Sequence, residues 1–198
     1  MPAAQERFFP GFVDYLFEGS ISIDRFTPRA GSTGGERQEE GMRQGSEILG
    51  DQESGRLADT LRRLLSSQLL AVLCTSDGGR PYCNLIAFVP GSDLGSLFFA
   101  TARATRKFSN MEQDPRVSLL IDNRGNRASD FRDAMAVTAT GSASETPPEE
   151  EGPFRRLFLG RHPGLEEFVS APGTALMRVR VERYYVVHGF RNVVIMCP

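Results

Sequence analysis

The chain has 198 residues, 40% hydrophobic and 24% charged, a balance expected of one soluble globular domain with an appendage and a sizeable core. Its formal net charge of −2 excludes a nucleic-acid binder that works by broad phosphate neutralisation, so any anion site must be local. Cys74, Cys83 and Cys197 are odd in number and widely spaced, which argues against a disulfide framework or a zinc site and for reduced thiols in a cytoplasm; no apolar run approaches the ~20 residues that span a bilayer, and no signal peptide is expected.

Residues 1–53 read as an N-terminal arm and linker, and residues 54–198 as the folded domain. Phe8, Phe9, Phe12 and Phe17 mark the arm, whereas residues 28–47 carry almost no large apolar side chain and cannot offset the entropy of being ordered. Either the arm packs its aromatic residues on a partner subunit, or translation begins at Met42. From Ser54, Leu57, Leu61, Leu64 and Leu65 follow the spacing of one helix face. A strand is expected over 68–75, and Asp77-Gly78-Gly79 marks a hairpin turn. In the next strand, 80–89, Tyr82, Asn84, Ile86 and Phe88 share one face and Cys83, Leu85, Ala87 and Val89 the other.

After the turn at 90–95 come a strand over 96–101, a short helix from about Thr105 to Gln113 that must stop before Asp114-Pro115, and a strand over 116–122. A polar loop over 124–130 leads to a strand of small residues, 134–144. Pro147-Pro148 opens a helical region containing Phe154, Leu157 and Phe158, with its acidic run complementing the helix dipole. Over 174–187, Met177, Val179 and Val181 alternate with Arg178, Arg180 and Glu182, as in a half-buried antiparallel strand. Six short strands with few helices predict a mainly β fold, a closed six-stranded antiparallel barrel.

Lys107 is the only lysine, the other 22 of the 23 basic residues being Arg. It follows the apolar run Leu97-Phe98-Phe99-Ala100 within Thr101-Ala-Arg-Ala-Thr-Arg-Lys107, so a strand delivers Arg103, Arg106 and Lys107 to a helix start, where free N–H groups add donors and Thr105 is the expected N-cap. That is anion-binding chemistry. A solvated lysine left by compositional drift towards Arg is the competing reading.

Residues 61–145 resemble the FMN-binding split-barrel family typified by pyridoxamine 5′-phosphate oxidase. The motifs that carry the resemblance are Leu70-Ala-Val-Leu-Cys-Thr75, Gly79-Arg-Pro-Tyr82, Leu97-Phe-Phe-Ala-Thr101 with Thr105-Arg-Lys107, and Asp114-Pro-Arg-Val-Ser-Leu119; the strand at 175–190 extends it more loosely. The resemblance implies a homodimer with FMN at the subunit interface, acting on a small-molecule redox substrate. It assigns the phosphate to Arg106 and Lys107, helped by the hydroxyls of Thr101 and Thr105 and with Ala100 beside them. It lays Cys83, Asn84, Leu85 and Ile86 along the flavin ring. The loop Asp122-Asn-Arg-Gly-Asn-Arg127 has two readings: Asn123 reaches the flavin of the other subunit, or the loop is a solvated turn using Asn and Gly at positive φ.

The departures bear on the substrate. Oxidases of this family that make pyridoxal phosphate carry a C-terminal segment with Trp and Arg, whereas this sequence has no Trp and ends at Pro198, so pyridoxal phosphate formation is not expected. The expected function is that of an FMN flavoprotein, an oxidoreductase of unknown substrate. The alternatives are a non-catalytic flavin-binding or redox-sensing module and a haem-binding barrel with His188 as axial ligand; deazaflavin is a further cofactor option. His162, beside Pro163-Gly164, reads as a turn residue. No metal site is expected.

Overall fold

The computed structural model describes residues 51–189 and 192–198. The proposed arm and most of the proposed linker therefore lie outside the described residues. The elements are α1 (Asp51–Ser67), β1 (Leu70–Asp77), β2 (Arg80–Pro90), β3 (Ser96–Ala102), α2 (Arg106–Gln113), β4 (Arg116–Asp122), α3 (Asp130–Asp133), β5 (Met135–Glu145), α4 (Pro148–Arg161), a 3-10 turn (Pro163–Leu165), α5 (Glu166–Ser170), β6 (Thr174–His188) and β7 (Asn192–Met196). Among the described residues no helix is long and apolar enough to cross a membrane.

The strands form one antiparallel sheet in the order β3-β2-β1-β4-β5-β6-β7, and a further β3–β6 pairing closes the first six into a barrel. The six-stranded split barrel expected from the sequence is thus the observed fold. β7, which pairs with the end of β6 from Tyr184↔Met196 to His188↔Asn192, is additional. The β1–β2 hairpin turns through Gly78 (φ 57°) and Gly79 (φ 87°), left-handed values that glycine adopts without a Cβ penalty, and Asp77 pairs with Arg80. That two-residue turn fixes the register of the whole hairpin.

Alternation along the strands separates two apolar layers. Leu73, Phe88, Leu97, Phe99, Leu119, Ile121, Val137, Val179 and Tyr184 are fully buried inside the barrel, joined by Leu61, Leu64 and Leu65 of α1 and by Phe108 and Met111 of α2. The outward residues of β2, β3 and β6 build a second layer, in which Val89 and Leu176 pack with Phe154, Phe158 and Val169 of α4 and α5, and Ala87, Phe98 and Ala100 lie against them. This is why Leu97-Phe98-Phe99-Ala100 shows no alternation, both of its faces being covered. Leu94, buried at φ 63°, holds the β2–β3 turn in a left-handed conformation, and its carbonyl accepts the Tyr184 hydroxyl at 2.7 Å.

Candidate functional site

The barrel is split between β2 and β3. Their ladder holds only Phe88↔Phe99, Val89↔Phe98 and Pro90↔Leu97, while β3 stays paired with β6 as far as Ala102↔Thr174 and β2 stays paired with β1 from Arg80 to Ala87. Where the ladder ends, a cleft of about 370 Å³ opens, lined by Leu85, Ile86 and Ala87 of β2, Ala100, Thr101 and Ala102 of β3, Thr105 and Lys107 at the head of α2, and Phe158, Leu165 and Phe168. Its size lies within the range of small-molecule sites.

Backbone direction in β2 follows from two contacts. The Phe88 amide donates towards the β1 side, to the Leu69 carbonyl at 3.3 Å, and the Gly91 amide donates towards β3, to the Ser96 carbonyl at 2.8 Å. Alternation then turns the N–H and C=O of Leu85 and Ala87 towards β3, along the stretch that β3 leaves unpaired. The cleft therefore has a hydrogen-bonding edge beside two small side chains, Ala87 and Ala100, under an aromatic cover.

Its cationic end is built from the strand-to-helix junction. Thr105 precedes α2 with extended backbone (φ −101°, ψ 150°), but its hydroxyl makes no cap to the helix. It donates instead to the Ala102 carbonyl at 2.7 Å and lies 3.2 Å from the Thr101 hydroxyl. The amides of Arg106 and Lys107 head the helix, where no preceding turn supplies carbonyls. Lys107 lines the cleft and Arg106 does not: the Arg106 guanidinium stands over the Tyr82 ring, 5.4 Å from its centroid. Successive helical residues point about 100° apart, so the two neighbours face different surroundings. Arg103, the third cation of the cluster, is held bidentately by Glu145 at 2.5 and 2.7 Å and lies over Phe108.

Of the other residues expected to touch a cofactor, Leu85, Ile86, Ala100 and Thr101 line the cleft. Asn84 is placed differently. Its side chain lies on the face opposite Leu85, with Oδ1 and Nδ2 buried and without a hydrogen-bond partner among the described residues, and its backbone faces β1. Cys83 is exposed, outside the cleft, and directly opposite Cys74. Asn123 is exposed, and its amide oxygen accepts the Met135 amide at 2.8 Å. Asn126 adopts the positive φ, 56°, foreseen for that loop. His188 is exposed at the end of β6; His162 is no free turn residue, since its Nε2 lies 2.9 Å from the Phe88 carbonyl and its ring packs 4.7 Å from that of Phe158. Neither histidine lines the cleft.

The aromatic cover was not foreseen. Leu165 and Phe168 belong to elements of three and five residues, too short to show a helical period. The only signal was a cluster of apolar residues after Pro163-Gly164.

Residues 57–188 match the family described as pyridoxamine 5′-phosphate oxidase. A haem-binding protein from Mycobacterium smegmatis has the same fold with a TM-score of 0.64 at 18% identity, over 71% of this chain and 57% of that one, so the chain spans little more than half of that protein. A protein of unknown function from Agrobacterium tumefaciens gives a TM-score of 0.61 at 25% identity, covering 76% of this chain and 62% of that chain. An FAD-binding protein from Mesorhizobium loti gives 0.53 at 17% identity, covering 65% and 92%. No curated protein sequence matches.

Proposed function

The chain belongs to the pyridoxamine 5′-phosphate oxidase family, and from that premise we propose that it is an FMN-binding oxidoreductase whose cofactor occupies the cleft between β2 and β3. The observation that carries the reading is the convergence, where those strands part, of one cation, two hydroxyls and a helix start on an apolar slot. The donors suit a phosphate: Lys107 supplies a point charge, Thr101 a hydroxyl, and the head of α2 its free amides. Ala87 and Ala100 leave room for a flat ring, which Phe158 and Phe168 cover. The N–H and C=O of Leu85 and Ala87 match the donors and acceptors of a pyrimidine edge.

When bound, the flavin supplies two-electron redox chemistry, and the protein orients the ring and excludes water from its covered face. The substrate is not pyridoxamine phosphate. Lys107 is the one cation lining the cleft among the described residues, and the cofactor phosphate takes it, which leaves no other described cation there for a substrate phosphate. The cofactor is shared by a homodimer: Leu69, Leu70 and Leu85 stand 55%, 54% and 66% exposed around the β1–β2 surface, an apolar area that a second copy would cover.

The absorption spectrum of freshly purified protein tests the cofactor, because flavin, deazaflavin and haem absorb differently. A flavin spectrum that bleaches with NADH or NADPH under anaerobic conditions and returns with oxygen or a quinone is the expected result. A haem spectrum would overturn the assignment, and a flavin that no donor reduces would favour a non-catalytic flavin-binding module.

A further inference from the structure

Cys74 and Cys83 lie nine residues apart in sequence, and the β1–β2 register sets them directly opposite each other with their Sγ atoms 2.6 Å apart. The Phe88 to Leu69 hydrogen bond fixes the parity of the ladder. Counting from it, Cys74↔Cys83 is a non-hydrogen-bonded pair, the class in which opposed Cα atoms lie about 4.5 Å apart and side chains are closest. That spacing falls within the 4.4–6.8 Å range that a disulfide spans without backbone movement. Both cysteines are free thiols; Cys83 is exposed and Cys74 half-buried. Cys74 also lines an open groove of about 400 Å³ with Arg116, Ser118, Thr140 and Glu182, so a small molecule in it can reach the Cys74 side of the pair, while Cys83 is open to solvent by its own exposure.

We propose that Cys74 and Cys83 form a redox-active dithiol site that exchanges with low-molecular-weight disulfides. The Cys83 thiolate attacks one sulfur of the small disulfide and expels its first thiol. Cys74 then attacks the Cys83 sulfur of the mixed disulfide, the cross-strand S–S bond forms, and the second small thiol leaves. Two electrons pass from the protein to the small disulfide, and the two thiol protons leave with its two halves. The order of attack follows from surroundings: burial and the Cys83 contact push the Cys74 thiol up to about 11 from its usual 9, so the exposed sulfur begins and the shielded one resolves. The dithiol chemistry rests on the hairpin and not on the cofactor; it requires that the second copy proposed to cover Leu85 leave Cys83, two residues away on the same face of β2, open to solvent.

The test uses the full-length protein, reduced with dithiothreitol, exchanged into oxidised glutathione, alkylated and digested with a protease that cuts before Asp. Cys74 then lies in peptide 59–76 and Cys83 in peptide 77–92. The expected result is a linked pair of these peptides, a whole chain lighter by two hydrogen atoms, and full reversal by dithiothreitol; Cys197→Ser preserves the link and Cys83→Ser abolishes it. Glutathione retained on Cys83 with Cys74 still open to alkylation would overturn the proposal, and so would two thiols that remain unreacted.

Discussion

Thr101 Oγ1 lies 3.2 Å from Thr105 Oγ1, and the two hydroxyls are not equivalent: Thr105 spends its proton on the Ala102 carbonyl at 2.7 Å. Thr101 is 1% exposed and, with the Thr105 proton committed, donates its own to Thr105 Oγ1, its one hydrogen-bond partner among the described residues; an anion in the cleft would compete for that proton. The junction between β3 and α2 holds this donor ready, with Thr105 fixing the turn.

The two threonines should therefore separate by mutation. Thr101→Val removes a hydrogen bond to a charged group, worth about 1.5–3 kcal/mol, and should weaken FMN by about 10- to 150-fold. Thr105→Val should cost less in FMN affinity and more in thermal stability, because it breaks the contact that closes the turn. Isothermal titration and thermal denaturation of both variants check this; a larger loss of affinity at Thr105 would contradict it.

Gly141 marks the point where the β5–β6 register shifts, with Thr140 opposite Arg183 and Gly141 opposite Val181. A Cβ there would meet the Arg180 carbonyl oxygen at 2.0 Å and its carbon at 2.9 Å, both backbone atoms. Gly141→Ala should destabilise the barrel by about 1–3 kcal/mol and lower Tm by about 2–12 °C. Gly160→Ala, in α4 with nothing within 4 Å of its Cβ position, should be neutral or raise Tm, as expected for Ala replacing Gly in a helix. Thermal denaturation of both variants distinguishes a local clash from a general intolerance of substitution.

Acid stability has an identifiable contributor. The Arg116 side chain, followed by the Arg116 amide, holds the Asp114 carboxyl down at about 2 from 3.8. A carboxyl held lower in the folded than in the unfolded state contributes stability above its unfolded value, and that stability is lost as pH falls from about 4 to about 2. Asp114→Asn should therefore be less stable than wild type at pH 6, with the difference closing across that window. Urea denaturation at pH 6, 4 and 2 reads it.

The barrel was legible wherever one face of a strand meets solvent and the other the core, as in Met177 to Glu182, and wherever a turn announced itself, as at Gly78-Gly79. Lys107 was legible because its type is unique in the chain. β7 was not, because Asn-Val-Val-Ile-Met has no alternation, and Val193 and Ile195 stand exposed despite being apolar. Long-range roles were equally hidden: the Arg161 guanidinium, from α4, donates to the carbonyls of Leu65, Ser66 and Gln68 at the end of α1, over 90 residues away. The Cys74↔Cys83 pair, by contrast, could have been read, since a two-residue turn joining Asp77 to Arg80 pairs the residues three positions back and three forward. The differing fates of Arg106 and Lys107 depend on the direction in which α2 leaves the strand, which residue types do not encode.

If Lys107 holds a phosphate in the β2–β3 cleft, as proposed, one titration shows it: FMN and riboflavin, each against wild type and Lys107→Ala. The variant should bind FMN about 10- to 150-fold more weakly while its affinity for riboflavin, which lacks the phosphate, stays within about twofold of wild type. Equal weakening of both ligands, or no weakening of FMN, would contradict the assignment.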